Sequence, residues 1–385
     1  MGRESTANIL HIFLIFKALI EFFTFIPVNT VFVFIGFGCL GIFSIYWLLI
    51  YNRLILPIQK NVEDEWPSVS IIICIRNQFP VFKNNMHLFL EQKYPQFELL
   101  IVDDDSSDGL ESWIREISQN EPKISYIKNQ KTQAGKKQAL TLGISNAQFE
   151  WLALTDADCK PEGKNWLKTM MQGITNNQKI ILGYAPYHYA PGILNQFIRF
   201  ECCFNALQYL AASQSGFPYM GSGRNLMYHR SIFNLQALQS ERMYGDDDLL
   251  INARSNSDNT GLCLNPKSFI FTDAKSSYID YFRQRWRHYA AALHYNLMSR
   301  VLLLFYFISF IGLYVCIFYL LIQKNYFIAS SLYVCHLLVS WPVFRSKLKL
   351  FKEKNLSNFF PILQILYCLH LIFQFPFLWI KKKHW

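Results

Sequence analysis

Long apolar runs sit at both ends of the chain, and short apolar runs alternate with mixed polar stretches between them. Thr30–Ile50 and Val301–Ile322 contain no charged residue. Each passes the ~20 residues that cross about 30 Å of hydrocarbon, and a core helix rarely stays uncharged for that length. Tyr326–Phe344 and Phe359–Ile380 are also apolar, with His336 and His370 inside them. The last run is expected to dip into the membrane or lie at its surface, with a full crossing as the rival. Pro361 and Pro376 would interrupt a straight helix there, and the three lysines at 381–383 favour a cytoplasmic end. Ile9–Pro27 is apolar but carries His11, Lys17 and Glu21, which predicts an interfacial helix or half-hairpin. The expected organisation is a membrane anchor over 1–52, a soluble domain over 53–298 and membrane segments over 299–385.

Inside the soluble stretch, Pro67–Cys74 is a β-branched run that reads as a buried strand. Phe97–Val102, Ile124–Ile127 and Trp151–Thr155 read as further strands, with helices predicted over 80–93, 110–119 and 134–146. Strand–helix alternation predicts an α/β fold with parallel pairing. Ligands in such sheets bind beyond the carboxyl ends of the strands. Two acidic clusters fall there: Asp103-Asp-Asp105 after the second strand and Asp156-Ala-Asp158 after the fourth.

Charge narrows the partners. The formal net charge is +10. Residues 299–385 hold ten Lys/Arg and one acid, so the remaining 298 residues carry only +1. A nucleic-acid-binding domain carries its own basic field, so no nucleic-acid partner is expected; the basic excess among apolar runs points to membrane lipid. Charged residues make up 17%, which with the high apolar content excludes a disordered chain. The nine cysteines follow no metal-ligand spacing and are read as reduced thiols.

Three successive acids repel one another unless something cationic or hydrogen-bonding pairs with them. Asp108 or Ser106 suits a helix N-cap. In an extended segment Asp156 and Asp158 point the same way, and two hard oxygen ligands on one side suit Mg²⁺ or Mn²⁺.

Several motifs occur together: Ser70-Ile-Ile-Ile-Cys-Ile-Arg-Asn77, Val102-Asp-Asp-Asp-Ser-Ser-Asp-Gly109, Gly135-Lys-Lys-Gln-Ala-Leu140, Thr155-Asp-Ala-Asp158, Gly221-Ser-Gly-Arg-Asn-Leu226, Gly245-Asp-Asp-Asp-Leu249 and Gln284-Arg-Trp-Arg-His288. In this order they resemble the membrane-bound family-two inverting glycosyltransferases of the GT-A fold, which include cellulose, hyaluronan and poly-N-acetylglucosamine synthases. The resemblance covers about 67–290.

The resemblance implies a nucleotide-diphospho sugar donor, UDP-linked, and a lipid-linked or polymeric glycan acceptor in cell-surface polysaccharide synthesis. It implies that Asp103 and Asp104 hold the uracil or ribose, with Asp105 standing where glycine is common. Lys136 would reach the nucleotide. Asp156, also on the donor side, and Asp158 would bind the metal, Mg²⁺ or Mn²⁺. The general base would be Asp246, or Asp247 if the alignment shifts by one. Arg224, Asn225, Gln284, Arg287 and His288 would face the acceptor or diphosphate. Processive synthases keep a tryptophan where this chain has His288, which points away from processive polymerisation. Spacing alone also reads Tyr278–Arg300 as an amphipathic interfacial helix with Arg283, Arg285 and Arg287 facing lipid headgroups. The rivals are a processive synthase and a non-catalytic scaffold of the same fold. Sugar nucleotides are cytosolic, so the soluble domain is expected on the cytoplasmic side of a bacterial plasma membrane.

Overall fold

The computed structural model describes residues 27–57, 66–130, 135–175, 178–232 and 246–379. The expected helix at 9–27, save Pro27, and the basic tail at 381–383 lie outside them. Two compact units form. One holds residues 27–46 and 304–340, the other 47–303 and 341–379.

The first unit is built from helix α1 (Val28–Ile45) and from the facing parts of the helices Leu297–Ile322 and Tyr326–Leu348. Phe43 lies 4.6 Å from the His336 ring and 6.0 Å from Phe310. The Tyr319 hydroxyl donates to Asn29 Oδ1 at 3.1 Å.

The second unit is organised by a seven-stranded sheet. Its strands are β1 (Val69–Ile75), β2 (Phe97–Asp103), β3 (Ile124–Lys128), β4 (Trp151–Asp156), β6 (Ile180–Gly183), β7 (Leu226–His229) and β8 (Thr260–Cys263), in spatial order β3-β2-β1-β4-β7-β6-β8. A two-stranded ribbon pairs β5 (Lys160–Pro161) with β9 (Ile270–Phe271). The first four strands fall within two residues of the predicted ones and run parallel. Strand β7 departs from the expected parallel pairing: it is antiparallel to both β4 and β6.

The helices are α2 (Phe79–Leu90), α3 (Leu110–Ser118), α4 (Lys136–Asn146), α5 (Trp166–Met171), α6 (Ile193–Gln214), α7 (Asp246–Arg254), α8 (Tyr278–Ala292), α9 (Leu297–Ile322), α10 (Tyr326–Leu348) and α11 (Phe360–Gln374). Central strand β1 buries Ile71, Ile72, Ile73 and Ile75, as a strand covered on both faces requires. Helix α4 crosses the sheet closely at Gly143, where an added Cβ would stand 2.9 Å from both Ile72 and Val102 side chains. At the other end of the sheet Glu98 is buried and accepts from Ser70 Oγ, Ser125 Oγ and the Gln148 amide, tying β1, β2, β3 and the entry to β4.

Among the described residues, four helical segments are long and apolar enough to cross a membrane: Val28–Arg53, Leu297–Ile322, Tyr326–Leu348 and Asn355–Phe377. The prolines of the last do not break its helix. Pro361 occupies the first turn of α11, where its missing N–H costs nothing, and Pro376 follows the helix end.

The close approach at Gly143 sets a test. Gly143→Val should destabilise the chain by ~1–3 kcal/mol through overpacking against Ile72 and Val102, read as a lower melting temperature in detergent; an unchanged melting temperature would contradict the packing.

Candidate active site

The registers Ile75↔Asp103 and Cys74↔Asp156 bring the ends of β2 and β4 to the same edge of the sheet, on either side of β1. Asp103 is fully buried. Its Oδ1 accepts the Ser106 amide at 2.7 Å and its Oδ2 the Tyr126 hydroxyl at 2.9 Å, so its carboxylate shapes the loop. Burial and the bond to Asp103 push the Tyr126 phenol up. Asp104, 1% exposed, accepts Asn129 Nδ2 at 2.8 Å through Oδ1. Its Oδ2 faces the Arg76 guanidinium at 3.8 Å and takes no hydrogen bond among the described residues. A buried acceptor of that kind is what a ligand donor satisfies. Asp105 has φ +62°, a left-handed conformation that Asp tolerates and glycine adopts freely, which accounts for an acid at that position. Asp108 does not cap the helix that follows it. It accepts the Phe79 amide at 2.8 Å and so caps α2, while Gly109 with φ +91° opens α3.

Beyond β4, single ligand atoms of Asp156, Asp158 and Cys159 lie within 4.8 Å of one another. Lys136 Nζ, from the first turn of α4, donates to Asp156 Oδ1 at 2.8 Å. Burial opposes ionisation of Asp156, but Lys136 and Arg224 outweigh it and hold the carboxyl below its usual range. Burial and the Asp156 charge push Asp158 up. Two carboxylate oxygens so placed fit a hard divalent cation, Mg²⁺ or Mn²⁺, whose charge relieves their repulsion. Cys159 does not belong to that donor set: it is fully buried, its thiol is pushed up, and soft thiolate is what zinc prefers.

Arg224 reaches the same place from the loop before β7. Its guanidinium stacks over Tyr187 at 4.6 Å, and its buried Nη1 has no hydrogen-bond partner among the described residues. Asn225 differs from the expectation of a ligand contact. It is fully buried, both amide hydrogens go to the carbonyls of Tyr184 and Ser268 at 2.8 Å, and its Oδ1 accepts Trp166 Nε1 at 3.0 Å. No donor remains for a ligand, so Asn225 fixes the loop that presents Arg224.

Helix α8 carries Gln284, Arg287 and His288. Gln284 Oε1 is buried with no hydrogen-bond partner among the described residues, and Arg287 is exposed. Desolvation, followed by Arg285, Arg287, Arg224 and Lys136, pushes the His288 imidazole down from its usual range, although the residue as a whole is exposed. Arg285 corrects the headgroup-facing expectation: it pairs with buried Glu201 at 2.7 Å. Trp286 is 8% exposed and donates to the Phe377 carbonyl at 2.6 Å. Asp246 and Asp247 open α7, where negative charge favours the helix dipole; their side chains and Gly245 lie outside the described residues. Asp248, in the same turn, is 7% exposed and bonds to the Tyr295 hydroxyl.

Residues 70–234 match the family described as Glycosyl transferase family 2. The chain carries a family 2 glycosyltransferase domain. Its sequence is similar to the 4,4'-diaponeurosporenoate glycosyltransferase of Staphylococcus haemolyticus, 30% identical over 151 residues, 38% of this chain and 40% of that protein. It is also similar to the poly-beta-1,6-N-acetyl-D-glucosamine synthase of Staphylococcus epidermidis, 29% identical over 119 residues, 30% of this chain and 28% of that one. The matched region thus spans less than half the length of either relative. A mannosyltransferase from Pyrobaculum calidifontis, solved in complex with GDP-Man and Mn²⁺, shares the fold at a TM-score of 0.58 and 15% identity, over 89% of this chain and 99% of that one. Asp156, Asp158, Lys136, Arg224 and His288 come together beyond the end of β4. Glu201 was missed; its signal was a lone acid in the otherwise apolar and neutral run Phe200–Ala212.

The reading of Asn225 can be checked. Asn225→Ala strands two buried carbonyls and an indole N–H, and should lower stability by at least ~2 kcal/mol at ~1–3 kcal/mol per buried unsatisfied group. Thermal unfolding measures it; an unshifted melting temperature would return Asn225 to the ligand side.

Proposed function

We propose that the chain is a membrane-anchored, inverting glycosyltransferase that moves a sugar from a nucleotide-diphospho donor, UDP-linked, to a lipid-linked or polymeric glycan in cell-surface polysaccharide synthesis. The observation that carries this reading is the acid pair Asp156 and Asp158 at the end of β4, ringed by Lys136, Arg224 and His288. The catalytic domain would face the cytoplasm of a bacterial plasma membrane, where sugar nucleotides are made.

Asp104 would take the base or ribose of the nucleotide through its free Oδ2, with Asp103 holding the loop beneath it. Asp156 and Asp158 would hold Mg²⁺ or Mn²⁺, which when bound supplies positive charge to the leaving diphosphate. Lys136 and Arg224 add fixed cationic donors on the same side, and Gln284, Arg287 and His288 close it from α8. Such preplaced charge favours the state in which the glycosidic oxygen departs with its electrons. Inversion requires a carboxylate on the opposite face to take the acceptor hydroxyl proton as that oxygen attacks the anomeric carbon. Asp246 is assigned this role, with Asp247 as the one-residue alternative. Histidine in place of the processive synthases' tryptophan supports single or few additions.

Asp158→Ala should abolish transfer while the chain stays folded and membrane-bound, and excess EDTA should do the same to the unaltered enzyme. Transfer that persists under either treatment rejects a metal held by this pair. Asp246→Asn should slow transfer by roughly 10²–10⁴, the usual worth of a general base, with nucleotide binding kept in calorimetry. If Asp247→Asn is the crippling change instead, the base is Asp247.

A further inference from the structure

Glu201 is the sole acid of α6 and is 2% exposed. Its carboxylate forms an ion pair with Arg285 Nε at 2.7 Å and accepts the Tyr289 hydroxyl at 2.5 Å, Asn205 Nδ2 at 2.9 Å and the Tyr281 hydroxyl. Three of these four partners belong to α8. Positions 281, 285 and 289 recur every fourth residue, so they form one row along that helix. Gln284 and His288 each precede a member of this row by one residue, and Arg287 precedes one by two. They occupy the adjoining face, and His288 there feels Arg224 and Lys136. A rotation of α8 by one residue, about 100°, would carry all three away from the acid pair.

The carboxylate opposes such a rotation. A buried charge is tolerated only when paired and hydrogen-bonded, and turning α8 would take Arg285 and both tyrosines away from Glu201. The two tyrosines that bind it also meet the His370 ring of α11, with centroids 5.7 Å and 6.2 Å away, which closes the far side of the row.

We propose that Glu201 is a positioning residue for sugar transfer: by engaging Tyr281, Arg285 and Tyr289 together it fixes the rotation and height of α8 and so aims Gln284, Arg287 and His288 at the donor diphosphate. The inference rests on the reading of those three residues as diphosphate-side contacts. The negative charge matters as well as the shape, because Arg224, Arg285 and Arg287 crowd one region and Glu201 is the buried anion paired with the middle one.

The test uses the full chain in detergent with Glu201→Gln. Hydrogen exchange should rise across 278–292 and stay unchanged across strand β2, while kcat for sugar transfer falls at least tenfold and donor KM changes less than threefold. Because Glu201→Gln leaves the Arg285 charge buried without its partner and the chain could misfold, a second variant, Glu201→Gln with Arg285→Met, removes both charges. Replacing a whole buried pair is often neutral for folding. Its melting temperature should return to the parent value and its kcat should stay at least tenfold down. Full turnover in either folded variant overturns the proposal, and so does unchanged exchange in α8. A parent chain that transfers sugar from no nucleotide donor would sink the functional reading by itself, and the exchange arm would still decide whether Glu201 sets α8.

Discussion

Asp156 and Asp158 leave β4 as like charges on one side of the chain, and the active-site end of the domain is arranged around their repulsion. With ligand atoms within 4.8 Å and an effective dielectric of ~20, two full charges there would oppose each other by about 3–4 kcal/mol. That load is met by groups from separate elements: Lys136 from the start of α4, Arg224 from the loop before β7, and a divalent cation in the proposed enzyme. Each supplier depends on a packing detail elsewhere. Lys136 reaches Asp156 because α4 lies against the sheet at Gly143, which has no side chain to hold it off. Arg224 stays in place because Asn225 is bolted to Tyr184, Ser268 and Trp166.

The same residue type does different work at each strand end because its surroundings differ. Asp103 has both oxygens saturated by the protein and acts as a loop brace. Asp104, one residue on, keeps one buried oxygen without a hydrogen-bond donor among the described residues. Asp105 is exposed and tolerates the positive φ that ends the strand. Asp108 turns back to cap a helix that precedes it in the chain. Acids that look redundant in sequence therefore meet four different local demands, three of hydrogen bonding and one of backbone conformation.

Strands β1 to β4 were legible because each is a β-branched or leucine-rich run of five or more residues closed by a polar turn. Strands β6, β7 and β8 were not. Each is four residues long, too short for a period-two signal to stand out, and the reversal at β7 comes from which strand it meets, not from its own composition. Among site residues, the acid pair and Lys136 were legible because strand ends and glycine-led helix starts gather at one edge of a parallel sheet. Asn225 misled because a glycine-flanked polar run reads as a ligand loop until burial shows where its amide is spent. Arg285 misled because helical periodicity sees a charged face but not Glu201, the distant acid on α6 that meets it. His288 could be found by motif, whereas its full surroundings could not, since Arg224 and Lys136 come to it from other elements.

Helix α11 shows how an apolar segment can serve the site and the lipid together. One face, with Phe360, Leu363, Gln364, Tyr367 and Leu371, is buried, and Tyr367 packs on Phe200 and Phe204 of α6. From the same helix His370 meets the Tyr278 hydroxyl at 2.9 Å, and Gln374 donates to the Phe282 carbonyl at 3.2 Å. The other face leaves Ile362, Leu369, Ile372 and Phe373 exposed, a stripe that water disfavours and hydrocarbon accepts. The 15 α-helical residues reach about 22 Å at 1.5 Å each, and the 3-10 turns on either side extend the segment to Asn355–Phe377, long enough to cross the ~30 Å core. Its buried face is committed to α6 and α8, and its free face is left to hydrocarbon. One segment would thereby brace α8, with the residues proposed for the diphosphate, and offer lipid an apolar surface.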